Sequence, residues 1–209
     1  MILIDHRDHE HVKNVAAAFA ESFLSQCGSL SSCMNYEEAC IYFELTLYEY
    51  ARAKNLYALS EKEEGYIVYY RKDKGMPWYR DLLLFVRYFR HIRIETMQKM
   101  MLVRRGWTDY TIAHLNTPDY VDVSLVAVKK EYQGKGYLRK LMAAPFALSD
   151  ELGIPCILDT DAEHKAIRYE SVGMRVERDQ LLDSGMHFYT MIYEPGEKRN
   201  ERKKYRLPA

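Results

Sequence analysis

Apolar residues recur every three or four positions through much of the first half of the chain, which is the spacing of amphipathic helices. Two such stripes are Val12, Val15, Phe19 and Phe23, then Ala39, Phe43, Leu47 and Ala51. Asn35 and Glu38 precede the second stripe at the spacing of a capping box. A third helix is predicted from Pro77, and its apolar face contains Trp78, Leu82, Phe85, Val86 and Phe89. A short helical continuation is predicted from Ile94, Met97 and Met101.

Runs rich in β-branched and aromatic residues predict strands. Residues 56–59 and 66–70 flank a polar loop and predict a β-hairpin. The second half then alternates, with predicted strands at 120–128, 154–158, 174–181 and 186–193 and predicted helices from the turn at 133–136 to about 152 and over 163–172. This order predicts an α/β fold with a mixed sheet.

Composition and charge narrow the class of protein. The 209 residues carry 30 Lys and Arg against 30 Asp and Glu, so the formal charge is zero and a dedicated DNA-binding domain is not expected. Runs of large apolar residues, such as Leu82 to Val86, are far too short to cross a bilayer. Charged residues and histidines fill positions 5–10, where a signal peptide would need an apolar core. We therefore expect a cytoplasmic protein with no membrane partner.

Metal binding is not predicted. The four cysteines lack the two-residue spacings that place paired thiolates on zinc. Among the early histidines, His9 and His11 are two residues apart and would not share a helix face.

The segment between the strand at 120–128 and the following helix contains a candidate phosphate-binding turn. Gly134 and Gly136 allow left-handed backbone just before a helix N-terminus, where successive N–H groups can hold an anion. No Ser or Thr follows Lys135 as a P-loop requires. Arg139 stands where a dinucleotide-binding motif needs its third glycine. An ordinary strand-to-helix turn is the alternative interpretation.

This segment resembles the acyl-CoA pyrophosphate loop of the GCN5-related N-acetyltransferase (GNAT) superfamily, whose motif is [Arg/Gln]-x-x-Gly-x-[Gly/Ala]. Gln133 and Gly136 match the first two fixed positions, and Leu138 replaces the small residue at the third. A second segment, from Tyr169 and Glu170 to Gly173, resembles the later Tyr-Glu-x-x-Gly-Phe motif, with Met174 in place of Phe. The resemblance covers residues 121–193.

The resemblance implies a mostly antiparallel central sheet flanked by helices, with the helices from Pro77 as an extra segment. It also implies that acetyl-CoA binds along the strand and the turn, as co-substrate and without a metal. The implied cofactor-binding residues are Val126, Ala127, Val128, Gln133, Gly134, Lys135, Gly136, Tyr137, Leu138 and Arg139. The strand backbone would hold the pantetheine arm, the amides of the turn would hold the pyrophosphate, and Lys135 and Arg139 would add positive charge.

Two residues are candidates for the chemistry. The resemblance places Tyr169 beside the thioester sulfur, and a phenol suits proton donation at neutral pH. Asp122 is the first candidate base, since strand alternation predicts one face shared by Asp122, Ser124, Val126 and Val128. His114 is the second candidate base, because its natural pKa suits proton transfer.

The predicted function is transfer of acetyl from acetyl-CoA to a primary amine by direct attack in a ternary complex. We expect one domain over residues 1–195, with a helical acceptor-side portion at 1–119, an acetyl-CoA-binding core at 120–195 and a basic tail at 196–209. The acceptor would be a small molecule or a peptide, and a homodimer is compatible with the sequence. One alternative is a non-catalytic acyl-CoA-binding or regulatory module. The other is a nucleic-acid-interacting protein that uses the tail.

Overall fold

The computed structural model describes residues 1–26, 28, 30–103 and 118–196. The strands in this part of the chain are β1 (Ile2–Leu3), β2 (Leu56–Ala58), β3 (Gly65–Arg71), β4 (Val121–Val128), β5 (Cys156–Thr160), β6 (Arg175–Leu181) and β7 (His187–Tyr193). The α-helices are α1 (His9–Ser25), α2 (Tyr36–Arg52), α3 (Trp78–His91), α4 (Ile94–Val103), α5 (Tyr137–Leu152) and α6 (Glu163–Val172). His114 and most of the basic tail lie outside the described residues.

Local signals fix the first two helices. The Asp8 side chain accepts a hydrogen bond from the backbone N–H of His11 at the start of α1. The predicted capping box of α2 is present, since Asn35 accepts from the N–H of Glu38 and the Glu38 carboxylate accepts from the N–H of Asn35. Both helices are therefore capped by side chains within the first turn, which satisfies otherwise orphaned N–H groups.

The described strands form one sheet in the order β1-β2-β3-β4-β5-β7-β6. The pair β4 and β5 is parallel, and every other neighbouring pair is antiparallel. The predicted α/β fold with a mixed, mostly antiparallel sheet is thereby confirmed. The short strand β1 was not predicted.

Helices cover both faces of the sheet. Apolar residues of α1 and α2, such as Val15 and Leu47, pack with Val68 and Ala127 on one face, the α1/α2 face. Leu141 and Phe146 of α5 and Ala166 of α6 pack with Val123 and Met191 on the other, the α5/α6 face. The sheet is thus the middle of three layers, and β4 contributes side chains to both cores.

Helices α3 and α4 are inserted between the adjacent strands β3 and β4, which accounts for the predicted extra helical segment. The Tyr88 hydroxyl hydrogen-bonds to Thr46 of α2 at 2.5 Å. The Glu38 carboxylate accepts from Arg93, which directly precedes α4, and from Thr96 in the first turn of α4. These contacts hold α3 and α4 against α2. Among the helices that the structure describes, none is long and apolar enough to span a membrane.

Candidate active site

The parallel strands β4 and β5 separate shortly after they begin. Their ladder joins Val121 to Cys156 and Asp122 to Ile157, and in the described residues it goes no further. On its other side β4 stays paired with β3 along its whole length. The β5-facing edge of β4 beyond Asp122 is therefore open, and an extended ligand could add to it as a strand would.

A β-bulge in β4 corrects one prediction. Val68 of β3 pairs with Leu125 and the next residue, Tyr69, pairs with Val123, so Ser124 is an extra residue in β4. An extra residue exchanges the two faces of a strand, because side chains alternate with a period of two. Asp122 and Ser124 both contact Tyr70, and Val126 and Val128 pack against the α5/α6 core instead. The predicted common face of these four β4 residues is wrong.

The turn after β4 has the backbone geometry that its glycines suggested. Gly134 and Gly136 have φ of +74° and +79°, in the left-handed region that other residues enter only with strain. Helix α5 starts directly afterwards at Tyr137, so its first N–H groups have no intrahelical partner. The Gln133 amide donates to the carbonyl of Val128 at 3.0 Å, which fixes the turn to the end of β4. The turn can therefore present N–H groups to an anion.

The charged and apolar residues around this turn also have structural roles. Lys135 donates to the carbonyl of Glu131, and Arg139 donates to the carbonyl of Ser171 near the end of α6, each at 2.8 Å. Leu138 is partly buried against the α5/α6 core. The larger residue at the third motif position therefore adds packing to the core.

Two cavities meet where β4 and β5 separate. We name both cavities by the ligands that the sequence predicts for them. The first, of about 360 Å³, is named the cofactor cleft, and eight of the ten predicted cofactor-binding residues line it. The exceptions are Lys135 and Ala127, whose side chain is buried in the α1/α2 core. The second, of about 380 Å³, is the acceptor cavity beneath α1 and α2. The residues that line both are Ser22, Gln26, Val126, Lys165 and Tyr169.

The junction of the two cavities holds the first candidate catalytic residue. Tyr169 lies on α6 and lines both the cofactor cleft and the acceptor cavity. Burial raises the pKa of its phenol above the ordinary value of 10. Because a buried phenol with a raised pKa keeps its proton at neutral pH, Tyr169 is suited to donate rather than to accept a proton.

Asp122, the second candidate, lines the acceptor cavity and belongs to a hydrogen-bonded cluster. The Tyr70 hydroxyl donates to the Asp122 carboxylate and bonds to the Ser124 hydroxyl, both at 2.9 Å. A phenol has one proton, so Ser124 must donate to Tyr70. Tyr50 stacks on Tyr70 with ring centroids 5.9 Å apart, and burial raises the pKa of Tyr50 to about 12. The cluster orients the carboxylate, and sequence analysis missed Tyr50 and Tyr70.

The remaining walls of the acceptor cavity are aromatic and acidic. Aromatic side chains come from α1, α2 and β7: Phe19, Phe23, Tyr42, Phe43 and Phe188. Besides Asp122, the carboxylates of Asp159 and Asp161 line it. Asp161 pairs with Lys165 at 2.6 Å and accepts from the N–H of Leu30 at 3.0 Å, and its pKa is lowered because these contacts outweigh its burial. Asp159 accepts from the Thr190 hydroxyl at 2.8 Å, so the acidic part of the wall is hydrogen-bonded and held in place.

Cations surround the cofactor cleft. Arg139 and Lys165 line it, together with Arg168, which sequence analysis did not select. Arg168 lies on α6, whose start is 26 positions beyond Tyr137, and only the folded sheet brings the two helices together. Lys165 is paired with Asp161, so Arg139, Arg168 and the helix N-terminus are the groups that favour an anionic ligand. No cluster of three or more metal-ligating side chains occurs in the part of the chain that the structure describes.

No protein-family model matches the chain, and no curated protein matches its sequence. Solved structures, in contrast, match the structure of this chain. An apo mutant of agmatine N-acetyltransferase aligns with a TM-score of 0.62 at 15% identity, over 92% of this chain and 97% of that one. A mosquito arylalkylamine N-acetyltransferase-like protein, 5b, gives a TM-score of 0.61 at 13% identity, over 92% and 98%. The chain has the GNAT fold. Arylalkylamine N-acetyltransferase 2 of Aedes aegypti shares it, with a TM-score of 0.59 at 10% identity over 92% of this chain and 96% of its own.

Within the GNAT fold, the glycine turn before α5 directly follows the strand that the sequence resemblance assigned to the pantetheine arm, and this strand has the open edge. These elements bring Tyr169 and Asp122 to one cavity, although the residues are 47 positions apart in the chain.

Proposed function

We propose that this protein is an N-acetyltransferase that transfers the acetyl group of acetyl-CoA to a primary amine by direct attack in a ternary complex. The observation that carries the proposal is the meeting of two cavities at Tyr169, where β4 and β5 separate. One cavity has an anion-binding turn at its edge and the other is acidic and aromatic. A thioester held in the first would expose its carbonyl to an amine held in the second.

The cofactor cleft fits two parts of acetyl-CoA. The open edge of β4 can pair with the amides of the pantetheine arm, as an added strand does. The Gln133 N–H donates to the carbonyl of Lys130, so the N–H groups from Gly134 to Leu138 are the ones that can hold the pyrophosphate, with Arg139 and Arg168 adding charge. The Val128 carbonyl already accepts from Gln133, so we assign the nearest strand contact to Val126.

Asp122 would take a proton from the acceptor amine. An alkylamine with a pKa near 10.4 needs about 4 kcal/mol to lose its proton at neutral pH, which a base must offset. The carboxylate lies in the acceptor cavity and is oriented by Tyr70, so it can pair with an ammonium and accept its proton. The neutral amine then attacks the thioester carbonyl.

Tyr169 would protonate the departing thiolate. As the tetrahedral intermediate collapses, the C–S bond breaks and the sulfur takes the electron pair. The attacking nitrogen loses its second proton in this step, and that proton replaces the one that the phenol gives to the sulfur. A CoA thiol has a pKa near 8.5, so the phenol need only supply a proton that is already positioned. The raised pKa of Tyr169 keeps that proton available at neutral pH.

The acceptor class follows from the walls of its cavity. Asp122 and Asp159 favour a cationic amine, and aromatic walls favour an aromatic or apolar body, since rings stack on rings and attract cations. The volume of about 380 Å³ suits a small molecule better than a folded protein. Two structural relatives are named for arylalkylamines and one for agmatine. We propose a small amine with an aromatic or apolar body as the acceptor.

A thiol-release assay tests this function. Purified protein is incubated with acetyl-CoA and either 2-phenylethylamine, agmatine, spermidine or a short peptide with a free N-terminus. We expect amine-dependent thiol release that is fastest with 2-phenylethylamine, with mass spectrometry showing the acetylated amine. Fastest release with the peptide would refute the proposed acceptor class, but it would still support acetyl transfer to an amine. No amine-dependent release with any acceptor, despite acetyl-CoA binding, would favour the non-catalytic module.

A further inference from the structure

Helix α3 turns a broad apolar surface away from the protein. Seven of its large apolar or aromatic side chains are 41% to 77% exposed: Trp78, Tyr79, Leu82, Leu83, Phe85, Val86 and Phe89. Its buried residues, Leu84 and Tyr88, are enough to fix the helix against α2. We call the seven exposed residues the outer face of α3. Single exposed apolar residues are normal, but a contiguous surface of this kind marks a contact with another apolar body.

Positive charge is concentrated around the outer face. From Lys72 to Arg93 the chain has six Lys or Arg against two Asp, although the whole chain is balanced. Arg87 and Arg93 pair with buried carboxylates of α2, but their side chains are still 44% and 63% exposed. Arg80 and Arg90 stand at either end of the apolar stripe. An apolar surface edged with cations complements a negatively charged apolar body.

We propose that the outer face of α3 lies in the surface of a membrane that contains anionic lipids. Apolar and aromatic side chains on one face, with arginines at its border, are the composition of a helix that lies in the lipid interface. Residues such as Leu82 and Phe85 would insert among the acyl chains, and Arg80 and Arg90 would pair with lipid phosphates. The helix has 14 residues, about 21 Å, which is enough to lie in the interface but not to cross it.

A second copy of the chain fits the outer face less well. In an antiparallel two-fold pairing centred on Phe85, Arg80 of one copy would face Arg90 of the other, and a parallel pairing would set each arginine beside itself. Both arrangements bring like charges together, whereas lipid phosphates neutralise them. The expectation of no membrane partner rested on the lack of a spanning run, and that lack does not bear on a helix lying in the surface.

The side of α3 opposite the outer face packs against residues that line the acceptor cavity. Tyr88, on the inner side of α3, stacks on Tyr42 at 5.0 Å and bonds to Thr46, and both of these α2 residues line the cavity. A membrane bound to α3 would therefore be separated from the cavity only by α3 and by the α2 residues that line the cavity.

Vesicle binding is measured without acetyl-CoA or amine, so its outcome is independent of the proposed activity.

Sedimentation with vesicles tests the proposal. We expect little binding to phosphatidylcholine alone, binding that rises as phosphatidylserine is added, and loss of that increment at high salt. The chain has two tryptophans, so the Trp107→Phe variant reports Trp78 alone, and its fluorescence should shift to the blue on the mixed vesicles.

Three variants locate the contact. Leu82→Glu with Val86→Glu should abolish sedimentation, because it puts two negative charges on the outer face. Leu181→Glu is the matched control, since Leu181 is 63% exposed on the edge strand β6, and it should bind like the wild type. Arg80→Gln with Arg90→Gln should weaken binding to the mixed vesicles at least about tenfold. Circular dichroism should show unchanged melting for all three.

Three outcomes would overturn the proposal. The first is no sedimentation with any vesicle, and the second is sedimentation that the Leu82→Glu and Val86→Glu variant leaves unchanged. The third is a stable dimer in solution that this variant dissociates, which would assign the outer face of α3 to a second copy of the chain.

Discussion

At the scale of single residues, the proposed chemistry depends on one phenol. Tyr169→Phe removes the hydroxyl and keeps the ring that packs between α6 and the sheet. We expect kcat to fall by about 10²-fold, with acetyl-CoA affinity unchanged, because general acid catalysis acts only in the transition state. Rapid-quench measurement of acetyl transfer, beside calorimetric binding of acetyl-CoA, separates the two effects. Unchanged kcat in Tyr169→Phe would remove this residue from the mechanism.

Asp122 carries a second prediction at this scale. Asp122→Asn should lower kcat/KM by about 10²-fold or more, and raising the pH should recover activity because more of the amine is then neutral. Tyr70→Phe keeps the carboxylate and removes the hydrogen bond that orients it, so we expect a smaller loss. The pH dependence of kcat/KM measures both. A profile identical to wild type in Asp122→Asn would exclude it as the base and make His114 the next residue to test.

Single positions also show how far sequence reasoning extends at this site. The turn at Gln133 and Gly136 could be predicted because its geometry is local, with its determinants within a few residues. Tyr70 was missed because it meets Asp122 only through the cross-strand register of β3 and β4. That contact could have been inferred by extending the predicted hairpin to a third strand, which needs the register in advance.

At the scale of elements, the start of α5 is the most sensitive segment. Gly136 has φ of +79°, and no described atom lies within 4 Å of the position that an added Cβ would take, so Gly136→Ala is limited by backbone strain alone. We expect a loss of stability of about 1–2 kcal/mol and weaker acetyl-CoA binding, since a turn that relaxes no longer aims its N–H groups. Gly185→Ala, at a comparable φ of +79° in the β6–β7 turn, is the control. It should lose stability without losing affinity.

The junction of α2 with α3 and α4 depends on Glu38. Its pKa is lowered to about 2, first by the hydrogen bond from Arg93. A carboxylate with a lowered folded-state pKa stabilises the protein above its unfolded value near 4.5, and this contribution is lost as the pH falls from there toward 2. Glu38→Gln should cost about 2 kcal/mol at pH 7 in urea unfolding. It should cost little near pH 2, and an equal cost at both pH values would contradict this account.

Elements also mark a limit of pattern reading. Period-two alternation predicted β4 correctly as a strand and then misplaced half of its side chains, because Ser124 is a bulge. The apolar stripe of α3 predicted a helix correctly, yet the residues that hold it to the protein are Leu84 and Tyr88. Periodicity reports that a face is apolar and does not report what covers it.

At the scale of the whole molecule, the two cavities are products of topology. The acceptor cavity draws residues from α1, α2, β4, β5, α6 and β7. No stretch of sequence contains that set, so the aromatic and acidic character of the cavity could not be predicted. Most of the residues grouped in the other cavity could be named from the sequence, because a strand and the turn that follows it supply them.

The central claim is that the cleft between β4 and β5 binds acetyl-CoA, and thermal unfolding tests it most directly. The protein is heated alone and with acetyl-CoA, ATP or NAD, each in large excess. At about 100 times its Kd, acetyl-CoA should stabilise the fold by about 2.7 kcal/mol and raise Tm by about 5–10 °C. We expect that rise with acetyl-CoA and not with NAD or ATP. No rise with acetyl-CoA, or an equal rise with all three, would contradict the account.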